Sequence, residues 1–288
     1  MYAATSPSEP GSATADIIPL HRWADGAAEV SFARSEGETR LKHLYQSDPC
    51  RILFPRQSPG TPKEAVIVTT SGGIVGGDRL RFEIDAEPGS VASVTTQAAE
   101  KVYRSTGAAS EIDVSVRAQD GALLEWVPQE TILFDGARLR RHTRIEVAGT
   151  ARMLAGEIVV FGRRARGESF TKGLLHDAWR LSRDGRLVWA DALNLSADIA
   201  TGIENRHAFD GAAAVATAVY CAPDAADYLD TARHLCRTGG ATCIDNVLVV
   251  RLVHTDAAAL RAEFTHFWKH FRHEAAGLPP VLPRVWDV

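Results

Sequence analysis

Long apolar runs, paired cysteines and the common nucleotide and nucleophile motifs are all missing from this 288-residue chain. No apolar stretch approaches the roughly 20 residues of a bilayer-spanning helix, which excludes a membrane partner of that kind. Met1–Ile18 is rich in Ala, Ser, Pro and Gly, with neither a basic start nor an apolar core. That excludes a secretory signal and predicts a disordered tail. The four cysteines, Cys50, Cys221, Cys236 and Cys243, contain no C-x-x-C pair. So few thiols in so long a chain predict reduced side chains in a cytoplasmic protein, not a disulfide framework. A formal net charge of -4 gives no reason to expect nucleic acid. Neither H-E-x-x-H nor G-x-S-x-G occurs, so nothing nominates a catalytic nucleophile.

What is present begins with Thr69–Leu80, TTSGGIVGGDRL. Four glycines around Ile74 and Val75 mark a backbone that turns tightly or approaches another segment. The P-loop needs Lys and Ser or Thr after its last glycine, whereas Gly77 is followed by Asp78 and Arg79. The dinucleotide register also fails, and Arg79–Ile84 alternates like a strand. Asp78 therefore reads either as a turn residue or as a carboxylate presented at a bend.

From about His21 to Leu195 the pattern is mainly β, with frequent turns and no long amphipathic helices. It predicts antiparallel or mixed sheets layered on one another, with hairpins at Asp120-Gly121 and Asp184-Gly185 and a turn at Ala148-Gly149-Thr150. The last third adds two helices, Asp224–Thr238 and Asp256–Ala276, around a strand at Ala241–Val253. In the second helix Leu260, Phe264, Phe267, Trp268 and Phe271 form one apolar stripe. Asp256 suits its N-cap and Gly277 its C′ position. The expected organisation is a single β-rich domain over 19–288, with an α+β layer from about 222 and an extended proline-containing strap at its end.

Two groups of side chains carry chemistry. His266, His270 and His273 share a helix face, where imidazoles can hold a transition metal, although a solvated polar face is the plainer reading. The acids are more telling. Glu157 lies in LAGEIVVF and Asp191 follows LVWA, and carboxylates in such runs must be paired, hydrated or bound to a cation. Arginines of the Arg138–Arg141 or Arg163–Arg164 segments are the plain partners.

GGIVGGD, TTQAAEKVYRS, LEWVPQETILFDGARL, FGRRARGE and the terminal LPRVW occur in this order and resemble the urease accessory protein D family (UreD, also called UreH). The resemblance spans about Trp23 to Trp286. It implies a mainly β protein that is not an enzyme. Its implied role is a scaffold that binds the urease apoprotein with accessory protein F (UreF) and the GTPase accessory protein G (UreG) and assists nickel delivery. No cofactor would be permanently bound, and Ni²⁺ would be present only in transit. GTP hydrolysis would belong to the G partner, in keeping with the absent P-loop. Asp78, Glu157 and Asp191 match acidic family positions beside a water-filled tunnel, whereas Glu100 stands where the family usually has a small polar residue. Two other roles stay open: an adaptor that opens urease without conducting nickel, and nickel transfer through the three histidines.

Overall fold

Strand after strand crosses from one sheet to the other, so the chain winds between two facing layers. The computed structural model describes residues 23–56, 58 and 60–287; the tail expected at Met1–Ile18 lies outside them. In chain order the first strands are β1 (Asp25–Ser35), β2 (Glu38–Ser47), β3 (Cys50–Leu53), β4 (Lys63–Thr69), β5 (Arg79–Ala86) and β6 (Val91–Thr96). Next come β7 (Glu100–Val102), β8 (Ser110–Ala118), β9 (Leu123–Trp126), β10 (Thr131–Leu133), β11 (Arg138–Val147) and β12 (Arg152–Phe161). A hairpin, β13 (Leu174–Arg183) and β14 (Arg186–Leu195), precedes α1 (Ile199–Glu204) and β15 (Ala214–Cys221). The remainder comprises α2 (Leu229–Leu235), β16 (Gly239–Ile244), β17 (Val247–His254) and α3 (Ala257–Ala276).

The first sheet has the order β14-β13-β11-β8-β5-β1-β2, and the second runs β16-β17-β15-β12-β9-β6-β4-β3, with β10 and β7 paired beside β12. The mainly β class and the layered, mixed sheets are as expected, but the centres of both sheets are parallel. In the first sheet β1, β5, β8, β11 and β13 run parallel to one another. The same holds for β4, β6, β9 and β12 in the second. Asp120-Gly121 and Ala148-Gly149-Thr150 accordingly do not close hairpins; they hand the chain from the first sheet to the second. Asp184-Gly185 does close one, between β13 and β14.

One apolar core fills the space between the sheets and a second lies between the outer face of the second sheet and the helices. β12 belongs to both, and all but its first residue is buried. Ala155, Val159 and Phe161 face the first core, whereas Leu154, Ile158 and Val160 face the second. Gly156 is the contact point with the helical layer: a Cβ there would lie 2.7 Å from the Trp268 ring and 2.9 Å from Phe264. The apolar stripe of α3 is buried as the periodicity requires, with Asp256 accepting the Ala258 and Ala259 N–H groups and Gly277 left-handed at the other end. The helix expected over Asp224–Thr238 is shorter, a 3-10 turn leading into α2. The strand expected over Ala241–Val253 is a hairpin, folded at Asp245 and Asn246, which both have positive φ.

Candidate functional site

The glycine segment connects β4 to β5 and lies against residues 101–108. A Cβ at Gly76 would sit 2.3 Å from the Ala108 carbonyl oxygen, so the two backbones approach as only glycine permits. Gly77 has φ +100°, and its missing side chain leaves space for the Trp23 indole. Asp78 closes this loop. Its Oδ1 accepts the Ala24 N–H and its Oδ2 the Val75 N–H, both at 2.8 Å, and the residue is buried. Each carboxylate oxygen thus braces a backbone donor.

Glu100, at the start of β7, accepts a hydrogen bond from Thr69 Oγ1 at 3.0 Å. Among the described residues it has no cation within ion-pair distance. Burial, opposed by the Thr69 and Lys101 donors and reinforced by the Asp78 charge, pushes its carboxyl up to about 7. It borders a cavity of about 130 Å³ together with Thr69, Ser71, Gly72 and Thr96. The buried Ser71 hydroxyl has no hydrogen-bond partner among the described residues. A polar space of this size accommodates water.

Between the sheets, Arg141 of β11 and Asp177 of β13 meet Glu157 of β12. The three residues are 6%, 2% and 6% exposed, so their charges must satisfy one another. Arg141 donates from Nε to Asp177 Oδ1 at 3.0 Å and from one Nη to Thr131 Oγ1 at 2.9 Å. Its other Nη reaches both Asp177 and Glu157. Trp179 completes the cluster, donating its indole N–H to Glu157 Oε1 at 2.9 Å. Burial raises the Glu157 carboxyl well above the usual range, and the Asp177 charge adds to the rise even against Arg141. Burial would also raise Asp177, but the charge and hydrogen bond of Arg141 reverse the shift and lower it. The cluster is therefore neutral while Glu157 holds a proton and carries one negative charge when it does not.

Asp191, on the edge strand β14, is half-exposed and ion-paired with Arg251 of β17. Three neighbouring cavities, which share wall residues, are bordered by these acids. The 130 Å³ space shares Thr96 and Glu100 with an intersheet cavity of about 40 Å³ that also contacts Thr131, Arg141 and Glu157. Glu157 in turn borders a gap of about 10 Å³ shared with Asp177, Asp191 and Arg251. That last gap holds about one water. Glu100, Glu157 and Asp191 thus each border at least one of these cavities, and Asp78 borders none of the three. Three further acids are ion-paired elsewhere: Glu125 with Arg272, Glu130 with Arg261 and Glu168 with Arg163.

Comparison with known proteins gives this fold a family. The family model described as UreD urease accessory protein matches residues 24–287. The chain belongs to the UreD family. It is 44% identical over 272 residues to the urease accessory protein UreD of Magnetococcus marinus, covering 91% of this chain and 94% of that protein. Identity to the UreD protein of Xanthobacter autotrophicus is 41% over 286 residues, 98% of this chain and 96% of the relative. These UreD relatives are named as accessory proteins of urease.

Arg141, Asp177 and Thr131 are site residues that the sequence reading did not nominate individually. Their signal was parity: Leu139, Arg141, Thr143 and Ile145 alternate inward on β11, as do Leu175, Asp177, Trp179 and Leu181 on β13. A charged residue at an inward position of such a strand marks a polar centre in the core. The three histidines border none of those cavities. His266 and His270 bring their rings to 4.4 Å between centroids, while His273 Nδ1 meets the Leu278 carbonyl at 3.0 Å. Burial, then the neighbouring His270, lowers the His266 pKa. Among the described residues no group of three or more His, Cys, Asp or Glu is placed to hold a metal ion. Nor is any helix there long and apolar enough to cross a membrane.

Proposed function

We propose that this UreD protein is a non-catalytic scaffold of urease maturation that joins the urease apoprotein with accessory proteins F and G. In this reading Ni²⁺ passes along Glu100, Glu157 and Asp191 toward urease, shedding hydration water where the cavities narrow to about 40 and 10 Å³. The observation that carries it is the series of three cavities with shared walls, each bordered by at least one of these acids. Separated carboxylates and water hold a divalent cation weakly enough to release it, whereas a closed histidine or thiolate set would trap it. Glu100, without a cationic partner, receives the ion at the wide end. Asp78 contributes its negative charge nearby and braces the loop that forms the wall.

At the narrow centre, Ni²⁺ meets the Arg141 cluster. Loss of the Glu157 proton supplies a charge there that offsets part of the cation's desolvation. The reading is tested with purified complexes of this chain, F and G, measuring nickel-dependent activation of urease apoprotein by wild type and Glu157→Gln. The amide keeps an acceptor for Trp179 but cannot ionise. Slower activation by an intact complex supports conduction.

A second reading, an adaptor that opens urease while nickel arrives by another route, is favoured by the ion pairs of Glu157 and Asp191 and by the two backbone donors on Asp78. It predicts normal activation by Glu157→Gln.

A further inference from the structure

The FGRRARGE segment takes no part in the passage and forms one wall of a separate groove. This cavity, of about 540 Å³, has an apolar floor of Ile132, Val160, Ala257 and Ala258; its rim carries Arg163, Arg164 and Arg166 against one carboxylate, Asp256, which is occupied capping α3. Arg163 is consumed internally. Its Nε and Nη2 bind the two Glu168 oxygens at 3.2 and 2.5 Å, and its guanidinium lies 4.0 Å above the Phe134 ring. Glu168 Oε1 also accepts the Asp135 N–H at 3.1 Å, so the loop is braced from two sides. Gly162 has φ +86°, and a Cβ there would lie 2.5 Å from the Glu168 carbonyl oxygen, which fixes the backbone of the rim.

Arg164 and Arg166, on the 3-10 turn of this loop, are exposed and have no carboxylate within ion-pair distance among the described residues. Two unspent guanidinium groups thus stand on a rigid turn beside an apolar slot, in a chain of net charge -4. Arginine forks recognise carboxylates in two-point geometry, and a preordered rim reduces the entropy lost on binding.

The geometry points to a docking groove for a segment of another protein in which an aliphatic side chain is flanked by carboxylates. The aliphatic group enters the Ile132–Val160–Ala258 floor and the acids meet Arg164 and Arg166. An apolar floor offers nothing to the phosphates of nucleic acid, which is why the occupant is a peptide. The inference rests on the scaffold reading only in placing the chain within an assembly, with the groove receiving one of its companions.

The test uses the full chain and purified urease apoprotein, F and G, each measured singly for affinity. Two variants attack the groove by different means: Arg164→Glu/Arg166→Glu reverses the rim, and Ala258→Trp fills the floor at an exposed position. Both should weaken binding of the same partner by at least about tenfold, leaving the others unchanged. Wild-type binding of that partner should also weaken as salt rises from about 0.1 to 1 M, because the screening length falls from about 10 to 3 Å. Wild-type affinity for every partner in either variant overturns the groove alone. A wild-type chain that binds none of the three overturns the scaffold reading and the groove with it.

Discussion

Trp179 and Glu157 join the two sheets through a single hydrogen bond of 2.9 Å, indole N–H to carboxylate, at the level where Arg141 and Asp177 are buried. The contact holds Glu157, only 6% exposed, on a strand with cores on both faces.

Arg141→Leu should be the most damaging single change in the cluster. It strands Asp177 and Glu157 without their counter-charge, which costs about 3–5 kcal/mol for a buried pair. A urea titration should show a lower midpoint with an unchanged slope. Arg141→Leu/Asp177→Leu should recover much of the loss, because replacing a whole buried pair by apolar groups is often close to neutral. A double variant no better than the single one would contradict this account.

Glu100 gives stability a pH dependence of unusual sign. Its folded carboxyl titrates at about 7 against an ordinary 4.5, so the folded state binds the proton more tightly. The contribution is complete below about pH 4.5 and is lost as pH rises through about 7. At about 1.4 kcal/mol per unit, the wild type loses up to about 3 kcal/mol over this window. Glu100→Gln should match the wild type near pH 5 and exceed its melting temperature at pH 8. Parallel melting curves for the two proteins across that range would refute the shift.

Asp78→Leu removes the acceptors of the Ala24 and Val75 N–H groups. Both bonds are only part-buried and Val75 itself is exposed, so the variant should lose about 1–2 kcal/mol. Hydrogen exchange at those two amides should accelerate before the rest of the sheet opens. Impaired nickel activation by this variant would then mix two effects, which is why Glu157→Gln is the cleaner probe of conduction.

Gly156→Ala tests the seam between β12 and α3. The added methyl would meet the Trp268 and Phe264 rings at 2.7 and 2.9 Å. Overpacking of this kind costs about 1–3 kcal/mol. Thermal melting should register the loss, and near-ultraviolet circular dichroism should show the Trp268 environment disturbed.

The parts of the fold that local chemistry decides were legible. Helix α3 was readable from its stripe, its Asp256 cap and its Gly277 terminus, all of which lie within or beside one element. Sheet direction was not. Parallel strands are usually covered on both faces and read as continuous apolar runs. Here β5 and β11 alternate buried with exposed residues, because the outer face of the first sheet is open, and so they resemble antiparallel strands. Asp120-Gly121 likewise reports a tight turn but not which sheet the next strand joins. At the site, the apolar setting of Glu157 was visible in the sequence. Its companions were not individually visible, because Arg141 and Asp177 come from strands whose adjacency only the parallel pairing creates.

The far end of the chain completes the second core. Trp286 donates its indole N–H to Thr95 Oγ1 at 3.0 Å, Arg261 lies over its ring, and Arg272 holds the Pro279 and Val281 carbonyls while binding Glu125. A ribosome releases Thr95 and Glu125 long before the groups that cover them. During synthesis the outer face of the second sheet therefore waits, greasy and with a bare carboxylate, until the segment around Trp286 has emerged. The yield of soluble product should depend on how fast that interval passes and on what shelters the nascent chain meanwhile.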